Sequence, residues 1–542
     1  MVMMMTKTKK TPPPPPTSPR DLPEDCRSAG LRRRRWRSST AATAAVAVAA
    51  LLISTAAWLS LVFSGTRDAR WHRLTHRHQH FPLSSSSEAP SFPSPPSRPR
   101  LVSTITGRNR SLSELGPGRK DLTLGHIVFG IAGSSRLWNR RKEFIRLWWR
   151  PTMRGHVWLD DRPPEAAGGG GSDSLPPIMI SEDTSRFRYT NPTGHPSGLR
   201  ISRIVAECFR LGLPNVRWFV LGDDDTIFNV DNLVAVLSKY DSSEMVYIGS
   251  PSESHSASTY FSHSMAFGGG GIAISYPLAR ALSKIQDDCL ERYPKFYGSD
   301  DRLHACIAEL GVPLTRELGF HQWDIKGSAH GLLSSHPVVP FISIHHLEAV
   351  DPFYPGLSSL EGLKLFTKAM RTDPGSFLQR SICYDRSQHI TFSVSLGYVI
   401  QVWPKIVYPR DLERSELTYS AWNGIHHRNE FDLDTKDPVR SICKKPVLFF
   451  LKDVRREGGA TLGSYARARG SNDMRRRVFC FPRSPPLHRV QTIEVIGYPV
   501  SKSWHLVPRR LCCKLNNASG DVLKMTVRQC EKGSFGSLMA HL

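Results

Sequence analysis

Arg217-Trp-Phe-Val-Leu-Gly-Asp-Asp-Asp-Thr226 reads as a buried strand that ends in three consecutive carboxylates. A short apolar run rich in β-branched and aromatic residues suits a strand covered on both faces, and acids at its carboxyl end lie where open α/β sheets bind ligands. Working outward, His126-Ile-Val-Phe-Gly-Ile-Ala132 and His156-Val-Trp-Leu159 have the same texture, with a helix expected over Leu137 to Trp149 between them. Ile201, Ile204, Val205, Cys208 and Phe209 fall at i, i+3, i+4, i+7 and i+8, an apolar stripe on one helical face. Beyond the acids, Asp231 is expected to cap a helix through Tyr240, and Val246-Tyr-Ile248 is a further strand. Strands alternating with helices predict an α/β domain with a mainly parallel sheet.

Three adjacent acids at the edge of a core concentrate negative charge that a bound cation would make tolerable. Asp223 and Asp225, on one side of the strand end, are placed to hold a hard divalent ion bridging a nucleotide diphosphate, while Asp224 points elsewhere, toward a ribose. A calcium loop is excluded, because Phe228 stands where its glycine belongs and Val234 where its glutamate belongs. The competing reading is a solvated acidic turn before a helix. Two further elements bear on the choice. Phe267-Gly-Gly-Gly-Gly-Ile272 provides a loop whose backbone, at Gly269 and Gly270, can approach a ligand closely. Tyr297-Gly-Ser-Asp-Asp301 opens a helix through Leu310, and one of its carboxylates can project into the same cleft as a general base; the alternative is a pair of N-cap acids.

The ends of the chain differ from this domain. Ala41 to Phe63 is uncharged and preceded by Arg32, Arg33, Arg34, Arg35 and Arg37, which predicts a transmembrane signal anchor over 41–63 behind a cytosolic basic, Pro-rich tail, 1–40. A cleaved signal peptide, whose apolar region is shorter, is the weaker reading. Residues 64–121 are rich in Ser, Pro, Arg and His and read as a disordered stem. The folded domain is expected over 122–374. Past Gly375 the runs shorten and turn β-like, as in Ile390-Thr-Phe-Ser-Val-Ser395 and Val447-Leu-Phe-Phe-Leu451, predicting a β-rich accessory domain over 375–542. The net charge of +24 invites a nucleic-acid partner, but no zinc-finger spacing, RNA-binding signature or basic heptad region accompanies it. Of the ten cysteines, Cys26 lies before the anchor; the other nine would face an oxidising lumen, where structural disulfides are expected in the C-terminal third, at least one thiol staying unpaired. The sequons at Asn109 and Asn517 would face the lumen too.

Taken in order, the strand with its Asp triplet, Phe-Gly-Gly-Gly-Gly-Ile-Ala-Ile-Ser275, Gly-Ser-Asp-Asp301 and Gly319-Phe-His-Gln322 closely resemble the fringe-like β-1,3-glycosyltransferase family, particularly its plant branch. The resemblance runs from about His126 to Pro355 and continues through Arg380-Ser-Ile-Cys-Tyr-Asp385, Arg440-Ser-Ile-Cys443 and Pro508-Arg-Arg-Leu-Cys-Cys513. It implies a Rossmann-like domain of the GT-A type and an inverting, UDP-sugar-dependent β-1,3-glycosyltransferase that extends a glycan or glycoprotein acceptor in the Golgi lumen, as a single-pass type II membrane protein, with Mn2+ or Mg2+ as cofactor. Homo-oligomers are compatible with this and a nucleic-acid partner is not expected. Carried across position by position, Asp223 and Asp225 become metal ligands and Asp301 the base, with Asp300 as alternate. His321 is the first choice for a histidine ligand. Where the family's pattern has a second histidine, this chain has Trp323, so His345 and His346 are the fallback. Arg140 and Arg141 match basic positions that face the nucleotide. A membrane lectin or scaffold that keeps the fold without turnover is the alternative.

Overall fold

The computed structural model describes residues 121–164, 175–468, 480, 489–516 and 520–531. The expected tail, anchor and stem, both sequons and the Gly168 to Gly171 insert lie outside them. Among the described residues no helix is long and apolar enough to cross a membrane.

A seven-stranded sheet forms the first layer system, in the order Ile178–Ile180, Arg154–Leu159, Ile127–Ala132, Trp218–Asp223, Ile272–Ser275, Tyr247–Gly249, Leu314–Arg316. Neighbours pair in parallel, except that Ile272–Ser275 runs antiparallel to both of its partners. Every residue of Ile127–Ala132, Trp218–Asp223 and Ile272–Ser275 is buried, as strands covered on both faces require. The apolar stripe from Ile201 to Phe209 is divided between two short helices, Ser197–Ser202 and Ile204–Arg210, that meet at Arg203. The helix expected after the acids spans Val230–Leu237. Its cap is Asn229, whose side chain accepts from Asn232 N; Asp231 pairs instead with Arg150 at 2.9 Å.

The C-terminal residues build an eight-stranded sheet running from Arg380–Asp385 through Ile390–Ser395, Val399–Trp403, Val447–Glu457, Ala460–Arg467, Thr492–Gly497 and Val522–Arg528 to Cys512–Leu515. Its apolar face joins the core of the first sheet. One buried cluster extends from Phe129 and Trp148 through Phe341, Phe366 and Phe377 to Val394, Ile400 and Phe449. Phe366, on the helix Ser359–Thr372, meets Phe341, Phe353 and Phe377 with ring centroids 5.9, 5.0 and 4.8 Å apart. Among the described residues four disulfides add to this: Cys289–Cys306 ties two helices of the first region, and Cys383–Cys513, Cys443–Cys480 and Cys512–Cys530 lie in the C-terminal third, leaving Cys208 as a buried thiol.

Candidate active site

Register delivers the acids. Ala132 pairs with Asp223, and Asp224 N donates to Ala132 O at 2.9 Å, so the triplet emerges at the end of the central strand while still attached to the sheet. Asp223, Asp224 and Asp225 are no more than 3% exposed. Thr226 Oγ1 accepts from Asp223 N and donates to Gly269 O at 2.7 Å, which fixes the turn against the glycine loop.

Asp223 and Asp225 are joined by His345, not by His321. His345 Nε2 lies 3.2 Å from Asp223 Oδ2 and 3.1 Å from Asp225 Oδ1, and the ligand atoms of the three residues all fall within 4.8 Å of one another. The glycine loop makes the room: a Cβ on Gly269 would come within 2.2 Å of the His345 ring. Gly270 N donates to Gln322 Oε1, and Gly271 sits at φ +103°, which favours glycine. These glycines, expected to face a nucleotide-sugar, here pack against His345 and Gln322. His321 lies elsewhere, with Nδ1 2.9 Å from Glu253 and Nε2 3.1 Å from His336.

Asp224 points away from the pair, to Arg141. Arg141 Nη1 donates to Asp224 Oδ1 at 2.7 Å, and Nη2 lies 3.4 Å from Asp225 and 3.2 Å from Glu348. Arg140 is mostly exposed and paired with Glu348. Burial disfavours the Arg141 cation, yet Asp225 and Asp224 hold its pKa above the ordinary arginine value. Burial also pushes Asp224 up to about 7 against the pull of Arg141. For the other pair the carboxylates win: burial would lower His345, but Asp225 and Asp223 raise it to about 10, and in return His345 holds Asp225 below the usual carboxylate range.

Asp301 caps its own helix. Its carboxylate accepts Tyr297 N at 2.8 Å and Gly298 N at 3.0 Å, and burial leads the factors that raise its pKa. Asp300 is buried and accepts from Ser299 Oγ. Beside this helix a cavity of about 590 Å3 is walled by Tyr260, Phe261, Tyr297, Trp422, Asp324 and His346; neither Asp300 nor Asp301 lines it. Asp324 is the carboxylate that the sequence reading passed over. It accepts from Ser252 Oγ at 2.6 Å and lies 3.3 Å from His346 Nδ1; burial opposes its charge, but the hydrogen bond from His346 outweighs it and keeps the pKa low. His346 packs between His345 and Trp422, with centroids 3.8 and 4.5 Å away, and stacks on Trp422, so the C-terminal region supplies a wall of the cavity. Trp323 and His346 hold φ of 54° and 59°, left-handed strain of the kind that collects at functional sites.

Residues 257–513 match the model of a family described as protein of unknown function, DUF604. A β-1,3-glucosyltransferase of Mus musculus is 30% identical over 146 residues, 27% of this chain and 29% of that protein. The Homo sapiens β-1,3-glucosyltransferase is 34% identical over 105 residues, covering 19% and 20%. The matched stretches thus span less than a third of these relatives. Over those stretches the chain is similar to β-1,3-glucosyltransferases. Among solved structures, the catalytic domain of Drosophila β1,4-galactosyltransferase 7 in complex with xylobiose is 13% identical with TM-score 0.20, over 35% of this chain and 64% of that one. A glycosyltransferase involved in glycosylation of the major capsid of PBCV-1 is 11% identical with TM-score 0.24, over 44% and 98%.

Proposed function

We propose that this chain is an inverting, metal-dependent glycosyltransferase that moves a sugar from a UDP-sugar to a hydroxyl of a glycan or glycoprotein, forming a β-1,3 linkage. The observation that carries the proposal is the buried convergence of Asp223, Asp225 and His345. The donor set fits Mn2+ or Mg2+, the imidazole favouring Mn2+. Asp225 Oδ1 faces the His345 ring without a hydrogen bond of good geometry, and His345 Nδ1 is buried without a partner among the described residues. A divalent ion bound there supplies Lewis-acid stabilisation of the charge gathering on the departing diphosphate.

The chain's own residues do the rest. Arg141 holds Asp224 and Asp225 in place and keeps a cation beside the acids. The aromatic walls of the 590 Å3 cavity offer apolar faces to sugar rings and exclude water from the reacting centre. A carboxylate takes the acceptor proton as the hydroxyl attacks in line, so the anomeric centre inverts without a covalent intermediate. Asp301 is the candidate carried by the motif. Asp324 is the candidate favoured by position, since it lines the cavity and is held ionised. Asp301→Asn would place an NH2 against one of the backbone amides of Tyr297 and Gly298, so its loss of turnover counts only alongside an unchanged melting temperature.

The test is a donor screen of the full chain against common UDP-sugars with Mn2+, read as UDP release, together with calorimetry of UDP with and without Mn2+. Metal-dependent UDP uptake and release of UDP from one donor are expected. Uptake of UDP that ignores Mn2+ would refute the site. We further propose a Golgi membrane location, single-pass type II with the catalytic part luminal. The four disulfides, which persist in oxidising compartments, support it, as does the uncharged run over 41–63. Endoglycosidase-sensitive glycans on Asn109 or Asn517 would test the orientation.

A further inference from the structure

A second set of ligating side chains lies outside the acid triplet, where the short helix His255–Tyr260 meets the C-terminal region. His255 Nδ1 is 2.7 Å from Asp432 Oδ1, and His263 Nδ1 is 3.4 Å from Asp432 Oδ2. One ligand atom from each of the three residues falls within 4.8 Å of the other two. The opposite edges of both rings converge as well: Thr259 Oγ1 lies 3.4 Å from His255 Nε2 and 3.4 Å from His263 Nε2. Other groups hold the frame. Ser254 and Phe431 form a β-bridge, Asp432 N donates to Glu253 O at 2.9 Å, and the Glu430 carboxylate accepts from Ser254 Oγ at 3.1 Å and from Ser256 Oγ. Asp432 is thereby fixed beside the start of the helix, and Thr259, one turn on from His255, shares its face.

We propose that Asp432 and the Nδ1 atoms of His255 and His263 bind Zn2+, with water completing the coordination. Two imidazoles and one carboxylate suit this borderline ion and disfavour Mg2+ and Ca2+, which take oxygen ligands. Metal on both Nδ1 atoms leaves both Nε2 atoms as N–H donors, and the two lone pairs of the Thr259 hydroxyl can accept from both. Such a partner on the second ring nitrogen is what orients a ligating histidine. All three ligands are exposed, so an ion can reach them from solvent. His255 and His263 bracket Tyr260 and Phe261, two walls of the 590 Å3 cavity, so an ion that ties both histidines to Asp432 braces that wall. None of these residues belongs to the Asp223, Asp225 and His345 set, and the site is independent of the transferase reading.

The test is calorimetric titration of the metal-depleted full chain with Zn2+, beside His255→Ala and His263→Ala, with amide hydrogen exchange followed by mass spectrometry to locate the ion. Both histidines are exposed, and exposed ion pairs contribute little, so both variants should melt as the metal-free parent does. Losing one ligand should weaken this site by more than about 100-fold. Each variant is therefore expected to take up one Zn2+ fewer per chain than the parent, the buried acids accounting for any Zn2+ that remains. Zn2+ should slow exchange across residues 255–263 in the parent and not in either variant, and Mg2+ should not replace it. Equal Zn2+ stoichiometry in parent and variants, exchange over 255–263 that ignores Zn2+, or equal protection by Mg2+ would overturn the proposal.

Discussion

Replacing His345 with Ala, and His321 with Ala in a parallel sample, separates two histidines that the sequence offers for the same task. In the metal-free protein, contacts of 3.1 and 3.2 Å place the His345 cation against two carboxylates. At an effective dielectric of about 20, each contact is worth about 5 kcal/mol of Coulomb attraction. Several kcal/mol of desolvation per ion offset much of that gain. Removing the imidazole takes away the cation closest to Asp223 and Asp225, and breaking a buried pair costs about 3–5 kcal/mol. The His345→Ala protein should therefore melt several degrees lower without metal. Loss of an outer-shell partner weakens metal sites by about 10–100-fold, so deletion of a direct ligand should cost more than about 100-fold in Mn2+ affinity. His321 touches Glu253 and His336, and His321→Ala should leave Mn2+-dependent UDP uptake within about threefold of the parent. The assay is calorimetry of Mn2+ and UDP, with a melting curve on each sample. If His345→Ala binds Mn2+ like the parent, or if His321→Ala alone loses it, the ligand set argued above is wrong.

Gly269→Ala should inactivate with only a modest fall in stability, about 1–3 kcal/mol, because its Cβ would strike the His345 ring at 2.2 Å; Mn2+ calorimetry alongside a thermal melt reads both. Burial raises Glu207 from 4.5 to about 7, and its Oε2 has no hydrogen-bond partner among the described residues. A raised carboxylate costs nothing below its unfolded pKa and its full penalty above its folded one, so stability should decline between pH 4.5 and about 7, by up to about 3 kcal/mol. Glu207→Gln should flatten that slope in urea unfolding measured across the window. Replacing both Cys383 and Cys513 with Ser opens a bond that closes 130 residues of chain and should cost roughly 2–5 kcal/mol, seen as a lower midpoint in non-reducing denaturation.

Local pattern carried much of this fold into the sequence. The apolar runs at Ile127–Ala132 and Trp218–Asp223 are strands because both faces are covered, and that signal needs no partner to be read. The reversal of Ile272–Ser275 was not legible, since direction depends on which neighbour a strand finds and not on its composition. The same limit governs the histidines. In a short parallel pairing His321 stands opposite Ile344 and shares its face, so strand alternation turns His345 the other way, toward the acids. Nothing near His321 or His345 in sequence shows that register. It is set by Ser343–Ile344 adding to Ile227–Phe228 directly after the triplet. Adjacent Cys512 and Cys513 make the point again: alternation sends one to Cys530 and the other to Cys383, two partners that spacing alone cannot assign. Chemistry that rests on one segment, the acid triplet, was therefore readable early. Chemistry that rests on register, namely the proposed third ligand, Asp324 and the Trp422 wall, had to await the paired strands.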